Sequence, residues 1–233
     1  MTLEPEVILL PGDPPLAVRW RRSARARRLS LKVSRLDGAV TLTLPTRTTR
    51  RMAMAFLQDR AEWLRRAMDG IDGPEEVAAG STIPVEGRML VLSPQAVRVA
   101  RIDGTQLIVP RTRPEAGALA FLKLLARDRL AERVAVHARA LGRTPGKLTL
   151  RDTRSRWGSC THAGDLMFSW RLILAPPRIL DYVAAHEVAH LAQMNHSPAF
   201  WAEVARLFPG HAEARRWLKT QGAALHRYRF DGA

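Results

Sequence analysis

Four residues within one short stretch have the types and the spacing of a hydrolytic metal site: His186, Glu187, His190 and His196. If the segment is helical, His186 and His190 lie one turn apart on one face, with about 5–6 Å between their Cβ atoms. Imidazoles at that spacing can both reach one tetrahedral zinc ion at about 2.0–2.1 Å. Glu187 lies beside them, where it can take a proton from a water that the metal activates. The pattern therefore predicts Zn²⁺ as the cofactor and Glu187 as the catalytic general base.

His196 follows His190 by several residues, so the intervening chain must turn to bring its imidazole back to the same metal. Asn195 tolerates the left-handed backbone that such a turn can require, and Ser197-Pro198 is typical of the start of the next helix. Three protein ligands leave a fourth position for water or substrate, as in catalytic zinc sites. We therefore predict His186, His190 and His196 as the metal ligands. A fourth ligand would close the site, so we expect Cys160 to be a packing residue.

The elements that must position these residues indicate an α+β fold. In the N-terminal half, apolar alternation predicts strands at 29–33 and 40–44 around an Asp37-Gly38 turn, and three more strands between residues 82 and 110. A helical pattern covers about 48–68. In the C-terminal half the expected elements are a long helix over 114–141 that ends at Gly142, strands at 148–150, 154–157 and 166–172, and a helix that begins at Pro176-Pro177 and carries the two closely spaced histidines.

This order of elements predicts three parts. Residues 1–16 are rich in proline and are expected to be poorly ordered. Residues 17–112 form a β-rich N-terminal region with one helix, and residues 113–233 form the metallohydrolase domain.

The composition favours an anionic partner. Lys and Arg number 37 against 22 Asp and Glu, for a formal net charge of +15, which suits nucleic acid, nucleotides or acidic peptides. The arginine run between Arg19 and Arg28 is read either as a solvated face or as a nucleic-acid contact. The single cysteine allows no intrachain disulfide, and neither a signal-peptide pattern nor a membrane span is recognised. We therefore expect a cytoplasmic protein with no membrane contact. The oligomeric state stays open.

A set of motifs in the C-terminal half resembles the YgjP-like metallopeptidases, which are relatives of the SprT-like group within the zincins. The motifs are Arg156-Trp157-Gly158-Ser159-Cys160, Trp170-Arg171-Leu172, Ala175-Pro176-Pro177, Asp181-Tyr182-Val183, His186-Glu187-x-x-His190, Met194-Asn195-His196-Ser197 and Phe200-Trp201. The resemblance implies a zincin-like C-terminal domain, with an active-site helix and a small antiparallel sheet. It also implies zinc on the three histidines, Glu187 as base and peptide hydrolysis as the activity.

Three functions stay open at this point. The leading one is a zinc-dependent metallopeptidase that acts on a peptide or protein. The alternatives are a zinc-dependent hydrolase of nucleotides or other phosphoanhydrides, and a non-catalytic nucleic-acid-binding protein that zinc stabilises. The strand at 166–172 is either the edge that pairs with an extended substrate or an internal strand. The candidates for stabilising a transition-state oxyanion are Arg156, Arg171, Tyr182, His211 and Tyr228.

Overall fold

The computed structural model describes residues 6–12, 14–34, 38–69 and 73–230. The chain divides into two compact units, Met1–Pro74 and Glu75–Ala233. Among the described helices, none is both long enough and apolar enough to cross a lipid bilayer.

The described part of the first unit is a four-stranded sheet that shares one apolar core with two helices. Strand order is β1-β2-β4-β3, in which β2 and β4 are parallel and the outer pairs are antiparallel. Leu16, Val18 and Trp20 alternate with exposed residues along β2, so one face of the sheet is buried. Its elements are β1 (Glu6–Leu10), β2 (Leu16–Ser23), β3 (Ser30–Val33), β4 (Val40–Pro45), α1 (Arg50–Asp59) and α2 (Ala61–Met68).

Two features of this unit differ from the sequence-based expectations. The sequence predicts poor order over residues 1–16, but residues 6–10 form strand β1. This strand forms because Ile8 and Leu10 are buried in the core. The single helix predicted over about 48–68 is divided into two helices, α1 and α2, because the backbone at Arg60 leaves the helical conformation. Strands β3 and β4 pair antiparallel as expected, while Asp37 of the predicted turn lies outside the described residues.

The second unit is built around the long helix α3, whose buried stripe Ala118, Leu122, Ala126 and Leu130 repeats every four residues. The helix ends at Gly142, as predicted, with a left-handed φ of 69°. The elements of this unit are β5 (Glu75–Glu76), β6 (Thr82–Val85), β7 (Arg88–Gln95), β8 (Arg101–Asp103), β9 (Gln106–Pro110), α3 (Pro114–Leu141), β10 (Leu148–Arg151), β11 (Gly158–Cys160), β12 (Leu166–Ser169), a 3₁₀ helix (Trp170–Leu174), α4 (Pro177–Ala189), α5 (Pro198–Leu207), α6 (His211–Gln221), a second 3₁₀ helix (Gly222–His226) and β13 (Tyr228–Arg229).

Strands β6 to β9 pack with the C-terminal helices. Ile83, Leu92 and Leu107 of this sheet share one core with Leu122 of α3 and Val183 of α4. The sequence pattern groups these strands with an N-terminal region of residues 17–112, because periodicity identifies an apolar strand but not the helix that covers it. The packing instead places these strands beside the helices of the second unit.

The sheet next to α4 is mixed, and the expectation of an antiparallel sheet needs correction. Its order is β10-β12-β11, with β10 parallel to β12 and β11 antiparallel to β12. After β10 the chain crosses to the far side of the sheet to form β11, and the following hairpin returns β12 between them. Strand β12 is therefore internal, and β11 is an edge of the described sheet. The strand predicted at 154–157 does not form, and strand β11 forms at Gly158–Cys160 instead.

Candidate metal centre

Helix α4 places the first two histidines at its C-terminal end. Pro177 occupies the first turn, where a missing N–H costs no hydrogen bond, and Ile179, Val183 and Val188 anchor the helix in the core. His186 lies in the last turn and His190 is the C-cap residue. The carbonyl groups at a helix C-terminus carry partial negative charge, which favours a cation there.

A tight turn brings the third histidine back to this helix end. The amides of Leu191 and Gln193 donate to the carbonyls of Val188 and Ala189, at 2.9 and 3.1 Å. Ser197 then caps α5, since its hydroxyl accepts from the amide of Phe200 at 3.4 Å. His196 lies immediately before this cap, with its Nε2 only 3.2 Å from Nε2 of His186.

The three imidazoles lie close enough together to share one metal ion. One ring nitrogen from each of His186, His190 and His196 lies within 4.8 Å of the other two. Two ligands at about 2.0–2.1 Å from a tetrahedral metal are separated by about 3.3–3.4 Å, close to the 3.2 Å between His186 and His196. The carbonyl of Gln193 accepts from Nδ1 of His190 at 3.0 Å, which leaves the Nε2 lone pair of His190 for a ligand.

Burial favours the neutral form of His186 and His190, the form in which an imidazole binds a metal. Desolvation, together with the neighbouring His190 and His196, lowers the pKa of His186 to about 3. Desolvation also lowers the pKa of His190. The ring of Phe200 stacks on His190 with centroids 4.5 Å apart, and Trp201 stacks on His196 at 5.9 Å. These aromatic contacts hold the imidazoles in place without competing for their nitrogen atoms.

Glu187 lies directly against the backbone of strand β11. Its side chain is buried, and desolvation raises its pKa to about 8 against the opposing charge of Arg156. A Cβ atom built on Gly158 would lie 2.6 Å from both Cγ and Oε1 of Glu187. Only a glycine lets the strand approach the carboxyl group this closely. The sequence offered the motif around Gly158 but no sign of this contact, which joins residues far apart in the chain.

Strand β11 has one edge that no other described strand covers. The amide of Ser169 donates to the carbonyl of Trp157 at 2.8 Å, and the amide of Thr161 donates to that of Asp165 at 2.9 Å. Because hydrogen bonding alternates along an antiparallel strand, Ser159 is the residue bonded to β12. The backbone groups of Gly158 and Cys160 therefore point away from β12, next to Glu187.

Cys160 behaves as a packing residue in the described geometry. Its thiol is half-buried against the core and donates to the carbonyl of Thr161 at 3.3 Å. Burial, aided by the charge of Glu187, raises the pKa of this thiol to about 11. The group therefore stays protonated at neutral pH, which is the unreactive, non-ligating form.

The candidates for an oxyanion donor separate into different roles. Arg171 is buried and fully engaged, donating to both oxygens of Asp152 at 2.6 and 3.0 Å and to the carbonyls of Leu225 and Tyr228. Tyr228 lies in β13, which pairs with β5 in a two-stranded parallel sheet. Both therefore hold the C-terminal segment rather than contact the histidines.

The remaining candidates lie around the histidines of the candidate metal centre or act on Glu187. Tyr182 is buried with its ring centroid 5.9 Å from that of His186, and His211 stacks on Trp201 at 5.9 Å. Arg215, which no sequence signal indicated, lies over the ring of Trp201 at 4.7 Å. Arg156 is exposed, and its charge acts on Glu187.

One family model matches most of the second unit and much of the first. The model of the YgjP-like family, metallopeptidase domain, matches residues 27–221. A solved structure, that of the metallopeptidase zymogen of Pyrococcus abyssi abylysin, is similar at 24% identity over 41% of this chain and 95% of that chain, with a TM-score of 0.34. A search of curated proteins finds no match.

Proposed function

The chain belongs to the YgjP-like metallopeptidase family, as its motifs predicted, and we propose that it is a zinc-dependent peptidase with its active site at the end of α4. The observation that carries the proposal is the convergence of three imidazole nitrogens beside a buried carboxyl group. Membership of the family makes the protein a metallohydrolase. Zinc, the assignment of each residue and the zincin-like character of the domain are parts of the proposal.

The donor set supports zinc as the metal. His186, His190 and His196 would hold it, because neutral imidazole nitrogen suits zinc better than the hard cations that prefer oxygen ligands. When bound, zinc supplies a Lewis acid that polarises a substrate carbonyl and makes water a better nucleophile at neutral pH. Catalytic zinc sites characteristically have three protein ligands.

Glu187 would move the proton during hydrolysis. Burial favours the neutral carboxyl group, and the positive charge of a bound zinc would favour the ionised one. In that ionised form its carboxylate takes a proton from the attacking water and transfers it to the nitrogen of the leaving amine as the peptide bond breaks. The contact with Gly158 holds the carboxyl group in one position beside the ligand histidines. A base held in place in this way needs little reorganisation when the substrate arrives.

Strand β11 would bind the peptide. The backbone groups of Gly158 and Cys160 that face away from β12 can pair with an extended chain, which adds to the sheet as a further strand. This edge adjoins Glu187, so a peptide paired with it would run past the carboxyl group that acts on it. The pairing uses backbone groups of the substrate and therefore accepts many sequences.

The test is hydrolysis by the zinc-loaded protein of a peptide library, with the cut sites identified by mass spectrometry. A panel of nucleotides, assayed for phosphate release, runs in parallel. Peptide cleavage that a chelator abolishes and zinc restores supports the proposal. Phosphate release from nucleotides, with all peptides intact, would instead assign the centre to a phosphoanhydride hydrolase.

A further inference from the structure

Three cavities that share lining residues lead away from the candidate metal centre, past the outer face of the sheet β10-β12-β11 and round its β10 edge to helix α3. The first, of about 340 Å³, is lined by His190, Thr161 and Arg143 among others. The second, of about 270 Å³, shares Thr161 with the first and adds Lys147 and Arg151.

The third cavity, of about 420 Å³, shares Arg151 with the second and extends to Lys123 and Arg127 on α3. The three cavities together are termed the basic groove, after the five cations Arg143, Lys147, Arg151, Lys123 and Arg127.

The sheet register explains why this face is polar. Thr149, Met167 and Ser159 lie side by side across the three strands, and Lys147 and Arg151 flank Thr149 on the same face because side chains alternate along a strand. On the opposite face, Leu150 and Phe168 belong to the core or pack against it. The outer face therefore presents hydroxyl groups and cations to solvent.

The five cations carry charge that the described residues leave unbalanced. All five are exposed, and none of them forms an ion pair within the described part of the chain. Two acidic residues line the groove, against its five cations, and only Asp152 pairs with a cation outside the groove. Both oxygens of Asp152 accept from Arg171, and Oδ1 of Asp165 accepts from the amide of Lys147 at 2.8 Å.

We propose that the basic groove binds an acidic segment of the polypeptide substrate that continues beyond the scissile bond. This inference rests on the proposed peptidase function. The groove begins at His190 and at Thr161, where strand β11 ends, so a peptide paired with β11 has a direct path into it. Carboxylates there meet cations and the hydroxyls of Thr149, Ser159 and Thr161.

The lining favours an acidic peptide over nucleic acid. Single-stranded nucleic acid binds by stacking its bases on exposed aromatic rings as well as through its phosphates. Among the described residues that line these cavities, the one Trp, Tyr or Phe is Trp170, which is buried at 1% exposure. The groove therefore offers cations that attract an acidic peptide but no exposed aromatic ring on which a nucleic-acid base could stack.

The experiment measures binding separately from hydrolysis. Fluorescein-labelled peptides of one sequence, carrying either a run of Glu or the same run as Gln, are titrated with the metal-loaded E187Q protein and followed by anisotropy. We expect the Glu peptide to bind about tenfold more tightly at low salt, with the difference shrinking as salt is added. The double variant K147E/R151E should lose most of that difference. The matched control R88E/R101E makes the same charge change at exposed arginines outside the groove.

Each result decides one question. Equal binding of the Glu and Gln peptides would contradict the proposal that the basic groove binds an acidic segment. An equal loss of the Glu preference in R88E/R101E and in K147E/R151E would also contradict it. A single-stranded DNA oligonucleotide that displaces the Glu peptide at lower concentration than unlabelled Glu peptide does would also overturn it, in favour of nucleic acid. The wild-type protein could cleave no peptide and still prefer the Glu peptide, with that preference lost in K147E/R151E. In that case the peptidase proposal is wrong and the basic groove still binds acidic peptide.

Discussion

Glu187 and Gly158 lie in direct contact, although one is on helix α4 and the other on strand β11. The Glu187 carboxyl group occupies the space that any side chain at position 158 would need, since a Cβ there would lie 2.6 Å from Oε1. The contact fixes the separation between the edge strand and the active-site helix. It therefore links the two halves of the proposed mechanism, peptide pairing on β11 and proton transfer at Glu187.

Replacing Gly158 by alanine should displace Glu187 or the strand and reduce peptidase activity by about 100-fold, the order of loss that a 1 Å misplacement of a catalytic group causes. The three histidines are untouched, so the zinc content should match that of the wild type. Gly73→Ala is the control, because a Cβ at Gly73 meets no atom within 4 Å. Steady-state kinetics and metal analysis of both variants decide the matter, and full activity in Gly158→Ala would refute the positioning role.

Glu187→Gln removes the proposed base while keeping the shape of the side chain. We expect zinc to be retained and turnover to fall by about 10²–10⁴-fold, the usual contribution of general acid–base catalysis. The matched control is Glu132→Gln, an exposed position on α3, which should be fully active. Turnover at the wild-type rate by a metal-loaded Glu187→Gln protein would remove the residue from the mechanism.

His196→Ala tests the third ligand through metal affinity rather than activity. Loss of one of three imidazoles should weaken zinc binding by at least about 100-fold, because only two protein ligands then hold the metal. Competition with a chromogenic chelator measures the affinity directly. His162→Ala, at an exposed histidine, should bind zinc as the wild type does. An unchanged affinity in His196→Ala would remove this residue from the ligand set.

Local features of this site were predictable from the sequence, because they depend on residues close together in the chain. The helical spacing of His186 and His190, the cap at Ser197 and the end of α3 at Gly142 all belong to this class. The YgjP-like family was also recognised correctly from short motifs.

Features that depend on long-range pairing were not predictable. Periodicity indicates that 166–169 is a strand, yet nothing local tells whether β11 or β12 is the edge, since strand order depends on partners elsewhere. The need for glycine at Gly158 arises from a contact with another element. In the same way, Arg171 is one of the sequence-based candidates for an oxyanion donor, because its four hydrogen bonds to Asp152 and the C-terminal segment cannot be seen in the sequence.

Arg171 should contribute to stability rather than to catalysis. Truncation to alanine leaves Asp152 and two buried carbonyl groups without their donor, and we expect a loss of about 2–3 kcal/mol in the free energy of unfolding, since Asp152 is half-exposed and can regain water. The comparison is Arg178→Ala, which breaks an exposed pair with Glu213 and should cost much less, because solvent screens the two charges. Urea unfolding measures both. Equal losses in the two variants would contradict the structural role.

His226 should make the metal-free protein less stable as the pH falls. Its ring lies 5.1 Å from that of Trp157, and burial, with the nearby charge of Arg171, lowers its pKa from 6.5 to about 4. Because the unfolded chain takes up the proton first, this residue favours unfolding progressively from pH 6.5 down to about 4.

Urea unfolding of the metal-free wild type and His226→Gln across that range should therefore show a shallower pH dependence in the variant. The histidines of the metal centre contribute the same slope to both proteins, so the difference between the two curves isolates His226. Parallel curves would show that its ring takes up a proton as readily in the folded protein as in the unfolded chain.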